Sequence, residues 1–256
     1  MSSDAEIHVT RDGHVACVVL SRPPHNFVDA DVMRRLADTL LALDDDHGCR
    51  AIVLASGVGA FCAGADFSGA GQGEVASDPA AFYVHAMKLY RNRKPIVAAV
   101  AGAAIGAGLG LALVADFRVT CAEARFSANF NRLGFHPGFG LSVTLPRLVG
   151  EQQAALLFYT GRRITGADAV DIGLADELVA KAEVDARAMA LAQEIAASAP
   201  LAVETTRATL REGLADRIAA ANQRELEIQR GQFRSEDFRE GVAAMAARRA
   251  PVFQRR

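Results

Sequence analysis

The chain has 256 residues, 51% hydrophobic and 23% charged, with a formal net charge of −2. This supplies a large core, in one big domain or a domain with an appendage, and leaves no basic excess to imply nucleic acid as a partner. Four scattered cysteines (Cys17, Cys49, Cys62 and Cys121), without C-x-x-C spacing, imply no metal site and no disulfide framework and fit a reducing cytoplasm. The N-terminus M-S-S-D-A-E has neither a basic nor an apolar segment, so no secretory signal is expected.

In chain order, Ile7 to Thr10 and Val15 to Leu20 flank Arg11-Asp12-Gly13-His14. Asp-Gly between two β-rich runs predicts a hairpin, with His8 and His14 facing solvent. Ser21 to Phe27, holding Pro23-Pro24, is a loop. Asp29 opens a helix to about Asp45, with Val32, Leu36, Leu40 and Leu43 on one face. Ala51 to Ser56 is a buried strand, Gly57 to Gly73 a glycine-rich loop, and Pro79 to Arg93 a helix with Phe82, Met87 and Leu89 inward. Such alternation predicts an α/β fold of stacked parallel βα units.

The stretch from Lys94 to Asp116 is uncharged from Ile96 to Ala115 and holds Gly102, Gly106, Gly108 and Gly110. Ile96 to Val100 is expected as a buried strand, Gly102 as its break, and Ala107 to Ala115 as a small-residue helix. A glycine turn into a helix leaves free N–H groups at the positive end of the dipole, suited to a developing anion. Rival readings are a membrane span, for which the run is just long enough, and a purely structural turn. A third is dinucleotide binding. Gly102-x-x-x-Gly106-x-Gly108 resembles the glycine turn of short-chain dehydrogenases, and Tyr90-x-x-x-Lys94 their catalytic pair, but in the wrong order.

Further strands are expected at Phe117 to Cys121 and Arg125 to Ser127, then a loop from Asn129 to Gly140. Helices follow at Leu141 to Val149 and Glu151 to Thr160, a short helix after Gly166, and an edge strand within Leu174 to Val179. Beyond Lys181 the chain is all-helical and richer in charge, with candidates at Ala182–Ser198, Pro200–Arg211, Leu214–Arg230 and Ser235–Arg249. A division near residue 195 gives a core (1–195) and a helical C-terminal region (196–256), which must pack on the core or on another subunit.

Several separate segments, in order, resemble the crotonase (enoyl-CoA hydratase/isomerase) superfamily. They are Ala63-Gly64-Ala65-Asp66 after a strand, Lys94 to Asp116, Leu133-Gly134 through Pro146-Arg147-Leu148-Val149-Gly150, Thr160 to Ile164 with Gly173-Leu174-Ala175-Asp176, and the tail from Ser235 to Phe253. The resemblance covers nearly the whole chain. It implies a spiral of ββα units with a C-terminal helical trimerisation region, assembling as a homotrimer or homohexamer. It implies an acyl-CoA thioester as substrate, with coenzyme A part of that substrate and no separate cofactor.

By match, the family's oxyanion hole falls on the backbone N–H groups of Ala65 and Ala107. Such donors stabilise charge developing on a thioester oxygen whatever the side chain. The resemblance also places Arg22, His25, Asn26 and Phe27 along the coenzyme A channel, the backbone around Ala63 and Asp66 against the adenine and pantetheine portions, and Gly64 and Gly106 among the substrate-binding residues. Arg22 is the candidate phosphate ligand, and Arg249 and Phe253 could reach a coenzyme A site. The bland alternatives are solvated loop residues for Arg22 and His25 and a solvated tail for the last two.

The two glutamates of family hydratases match Gly110 and Phe130, and the carboxylate position of several isomerases and an aryl-CoA dehalogenase matches Gly138. None of the three moves a proton. Phe130 is either an apolar wall of the acyl pocket or core packing. Candidate replacements are His136 and His85, each against the alternative of an ordinary loop or helix histidine. Asn129 and Asn131 could hold a water, and Tyr83 and Tyr159 are proton donors without a preferred spacing. The sequence therefore points to an enzyme working through a stabilised enolate (isomerase, lyase or hydrolase in type). The alternatives are a catalytically silent acyl-CoA-binding homologue and, remotely, an NAD(P)-dependent oxidoreductase.

Overall fold

The unbroken apolar run Ile96–Val100 is a strand with every residue buried, covered on both faces as parallel strands require. The structure is a computed structural model that describes residues 6–66 and 79–256. The part of the expected glycine-rich loop beyond Asp66 lies outside the described residues.

The chain opens with a hairpin of β1 (Glu6–Asp12) and β2 (Val15–Ser21). Asp12 pairs with Val15, so the turn residues are Gly13 and His14, one position later than Asp-Gly, and Gly13 takes φ +55°. Helix α1 (Ala30–Asp45) starts where the Asp29 carboxylate accepts the Val32 N–H, and buries Val32, Met33, Leu36, Leu40 and Leu43. Strand β3 (Ala51–Ser56) follows, then α2 (Ala80–Leu89). Helix α2 stops short of the expected Arg93 because the Arg93 and Lys94 N–H groups turn to the Asp44 carboxylate. That carboxylate is buried, and its pKa is raised chiefly by burial.

Then come β4 (Ile96–Val100), β5 (Ala103–Ile105), α3 (Ala107–Ala112), β6 (Phe117–Thr120) and β7 (Arg125–Ser127). The long α4 (Leu141–Thr160) breaks at Gly150, which has φ +77°. It is followed by β8 (Ile164–Thr165), α5 (Gly166–Asp171) and β9 (Glu177–Leu178). Among the described residues the large sheet has the order β1-β2-β3-β4-β6-β9, parallel except for the opening hairpin. A small sheet, β5-β7-β8, lies apart from it.

Helix α6 (Val184–Ala196) packs across β2, β3, β4 and β6. The tail helices are α7 (Pro200–Leu210), α8 (Leu214–Gln232) and α9 (Glu236–Ala246). Helix α7 is tied to the core by charge. Asp116 receives Arg207 at 2.9 Å and Arg211 at 2.8 Å, and Lys94 meets Glu204 at 2.7 Å. Helix α8 packs on α2 and α4. Among the described residues no helix is long and apolar enough to cross a membrane, and the uncharged stretch divides into strand, turn, strand and helix.

Candidate active site

Two distant segments meet where β5 runs into α3. The Cys62 N–H donates to the Ala103 carbonyl at 2.9 Å, and the Ile105 N–H donates to the Cys62 carbonyl at 3.0 Å. The segment Phe61–Asp66 is thereby laddered to β5. Glycine makes the approach possible. A Cβ on Gly108 would fall 1.9 Å from the Cys62 carbonyl oxygen, and one on Gly64 3.1 Å from that of Ile105. The same segment is fixed from its other side. The Ala63 N–H donates to His25, the Val28 N–H to Gly64 and the Asp66 N–H to Val28.

These bonds set the direction of two amides. A trans peptide holds its C=O and N–H antiparallel. The Gly64 carbonyl points at Val28 (2.9 Å), so the Ala65 N–H points away from Val28. The Gly106 carbonyl accepts the Gly110 N–H at 3.1 Å, so it points along α3, and the Ala107 N–H points off the helix start. Neither N–H has a hydrogen-bond acceptor among the described residues. Ala107 is 6% exposed and Ala65 half-buried. An unpaired donor in so enclosed a place is costly without an acceptor.

The surroundings are apolar. Phe130 is buried, and its ring tip lies 3.9 Å from where a Cβ on Gly106 would stand. A side chain on Gly110 has no room, since its Cβ would lie 2.5 Å from Cγ of Phe139. One on Gly138 would lie 1.9 Å from the Tyr83 hydroxyl oxygen and 2.6 Å from Nε2 of Gln229. The three positions at which a carboxylate was sought thus hold one phenylalanine and two glycines whose space is filled by neighbouring side chains. Sequence reasoning missed Phe139, Gln229 and Asn26 as packing partners, because nothing in spacing announces a contact between remote segments.

His136 is half-buried in the loop before α4. Its Nδ1 lies 2.7 Å from the Pro137 carbonyl, which can only accept, so Nδ1 is the donor and, in the neutral ring, Nε2 bears the lone pair. Its backbone is clamped from α8: its N–H donates to Gln232 and its carbonyl accepts from Gln229. The buried Tyr83 hydroxyl donates to that same Gln229 at 3.0 Å, and burial raises its pKa, keeping it protonated. Tyr159 is exposed on α4. His85 is half-buried on α2, and its Nδ1 is buried without a partner among the described residues. Asn129 lies beside Gly106, with Oδ1 3.1 Å from the Gly106 Cβ direction, and Asn131 is half-buried in the same 3-10 turn.

Two residues of the expected coenzyme A loop are held by partners within the chain. Arg22 is not a free phosphate ligand. Its side chain is 13% exposed, bridges Asp29 at 2.8 Å, approaches Asp66 at 3.7 Å and donates to the Phe27 carbonyl. Asn26 does not line a channel, because it is fully buried. Its amide donates to Leu20, Ser56 and Phe61, while its Oδ1 accepts the Arg22 N–H at 2.6 Å. It therefore positions the segment that carries Ala65. Asn26→Ala is expected to cost about 1–3 kcal/mol for each polar group left unsatisfied, measured by urea denaturation. His25 is exposed, edge-on to a half-buried Phe27. At the tail, Arg249 is bound by Glu240 and Phe253 is 42% exposed.

The dehydrogenase-like pair is not assembled. The Tyr90 hydroxyl donates to the carbonyls of Gly110 and Phe139, and Lys94 is buried against Glu204. Among the described residues no group of three or more His, Cys, Asp or Glu side chains is placed to hold a metal ion.

The family model for enoyl-CoA hydratase/isomerase matches residues 10–256. The chain belongs to the enoyl-CoA hydratase/isomerase family. It is 32% identical over 257 residues to a carnitinyl-CoA dehydratase of Proteus mirabilis, covering 98% of each chain. Its fold superposes on an enoyl-CoA hydratase/isomerase from Pseudoalteromonas atlantica with a TM-score of 0.88 at 29% identity, covering 97% of this chain and 99% of that one. It also matches a carnitinyl-CoA hydratase from Mycobacterium avium, with a TM-score of 0.86 at 31% identity and 98% of each chain covered. The α/β spiral with a helical C-terminal region is accordingly that of the crotonase superfamily.

Proposed function

We propose that this crotonase-family protein binds an acyl-CoA thioester and stabilises its enolate, with the thioester oxygen held between the Ala65 and Ala107 N–H groups. The observation that carries this reading is the pair of enclosed, acceptor-free amides, each aimed by a pinned carbonyl in its own peptide unit. Deprotonating the α-carbon moves charge onto that oxygen, and fixed donors stabilise it with no reorganisation. Coenzyme A enters only as part of the substrate.

The reaction on this reading is isomerase, lyase or hydrolase in type rather than simple hydration. Hydration needs a general base for water and an acid for the α-carbon, and Gly110, Phe130 and Gly138 supply neither. His136 is the first candidate to carry the proton, through Nε2, and His85 the second. His136→Ala is expected to lower α-proton exchange about 10²–10⁴-fold, the usual worth of a positioned acid or base.

The relatives named as dehydratase and hydratase favour a second reading, water addition or loss, and a silent acyl-CoA-binding homologue is a third. One experiment separates them. In deuterium oxide, the α-protons of butyryl-CoA should exchange on the enzyme while crotonyl-CoA gains no water. Hydration at a rate matching exchange favours the second reading, and binding without exchange favours the third. Assembly as a homotrimer or homohexamer in the cytoplasm completes the proposal. The exposed Leu201 and Leu210 on α7 support association, and four free cysteines support a reducing compartment.

A further inference from the structure

Phe139 sits between two glycines, Gly138 and Gly140, and departs from ordinary backbone geometry. Its φ is +64°, a left-handed value uncommon for a bulky side chain, yet the residue is fully buried. Such a conformation persists only where the surroundings over-determine it. Here the Tyr90 hydroxyl donates to the Phe139 carbonyl at 3.2 Å. The buried Glu225 carboxylate of α8 accepts the Gly140 N–H at 2.8 Å and the Ser142 N–H at 3.0 Å. The ring is met edge-on by Phe82 at 5.8 Å and Tyr90 at 6.1 Å.

The ring fills the space that a side chain on Gly110 would take. Helical side chains lean back over the preceding turn. That space therefore lies over the turn of α3 that begins with Ala107. A thioester oxygen that accepts the Ala107 N–H brings its α- and β-carbons toward this wall.

We propose that Phe139 is a specificity-determining plug of the acyl site, which confines the substrate to acyl-CoA thioesters unbranched at the β-carbon. This rests on the acyl-CoA reading above. The strained backbone, the glycine opposite and the clamp from α8 together hold the fully buried ring against α3, in space an acyl branch would otherwise take. A shorter side chain at 139 leaves room that a β-methyl group can enter.

The test is calorimetric titration of free coenzyme A, crotonyl-CoA and 3-methylcrotonyl-CoA into the wild type, Phe139→Ala and Phe139→Leu. The leucine variant keeps most of the volume and guards against loss of folding in the alanine variant. One extra methyl group in an apolar pocket is worth about 10–200-fold. The expected result is at least a tenfold preference of the wild type for crotonyl-CoA, with that preference falling tenfold or more in the alanine variant and part-way in the leucine variant. Equal binding of both thioesters by the wild type, or an unchanged ratio in the leucine variant, overturns the plug while leaving acyl-CoA binding intact. Binding of free coenzyme A and both thioesters with equal strength overturns the acyl site, and absence of all binding overturns the acyl-CoA reading itself.

Discussion

Ala107→Pro should abolish most of the enolate chemistry while leaving the fold in place. Ala107 is the first residue of α3, the position at which proline is favoured because its missing N–H has no intrahelical partner. The preceding Gly106 has φ +56° and ψ −116°, the mirror image of the extended conformation that a residue before proline requires, and glycine takes it freely. The substitution therefore deletes one donor without breaking the helix start, and it sets the ring Cδ in the enclosed space that the N–H faced. Loss of one such donor typically lowers turnover about 10²–10³-fold. The expected outcome is a fall of that size in α-proton exchange, with urea unfolding shifted by under about 1 kcal/mol. An ordinary packing role for Ala107 would leave exchange nearly unchanged.

The second large effect is on structure. Gly108→Val places a branched side chain against the Cys62 carbonyl oxygen, only 1.9 Å from where its Cβ must stand. The obstacle is backbone, in a segment laddered to β5 on one side and to residues 25–28 on the other, so it cannot rotate aside as a side chain would. Relief requires α3 and the segment Phe61–Asp66 to move apart, which separates the two donor amides. Overpacking of this kind is expected to cost more than about 4 kcal/mol. For a chain of this size that is a fall of roughly 8 °C or more in melting temperature. Acyl-CoA affinity should fall with it, as followed by thermal unfolding and calorimetry on the same preparation. Gly59→Ala is the control, because nothing lies within 4 Å of its Cβ direction.

What the sequence made legible follows from the range of the interactions involved. The strand Ile96–Val100 and the helix start at Ala107 are dictated by local pattern, β-branched residues behind a proline and small residues behind a glycine, and both lie where expected. Strand β5 was not foreseen. It is only three residues long, and it exists because Ala103 and Ile105 bond to Cys62 and to β7, contacts remote in the chain. The same limit governs the site. The resemblance placed Arg22 and Asn26 along the coenzyme A channel and residue type made Arg22 the phosphate candidate, but neither speaks of partners. The partners turned out to be Asp29 and Asp66 for the first and a set of buried backbone carbonyls for the second.

Gly110 shows this most plainly. In sequence it is the position that the resemblance matches to a glutamate of family hydratases. In the fold it is one half of a pair with Phe139, and a carboxylate returned to position 110 alone would meet the ring. Gly110→Glu is accordingly not expected to create hydration without a smaller residue at 139.

On the proposed function, the Ala65 and Ala107 amides hold an enolate oxygen. The most direct measurement is deuterium uptake at the α-carbon of butyryl-CoA, by wild type and by Ala107→Pro, under conditions where both bind the thioester. Uptake well above that of the free thioester is expected for the wild type, with a loss of about 10²–10³-fold in the variant. Uptake by the wild type no faster than in free solution, or equal uptake by the two proteins, would contradict it.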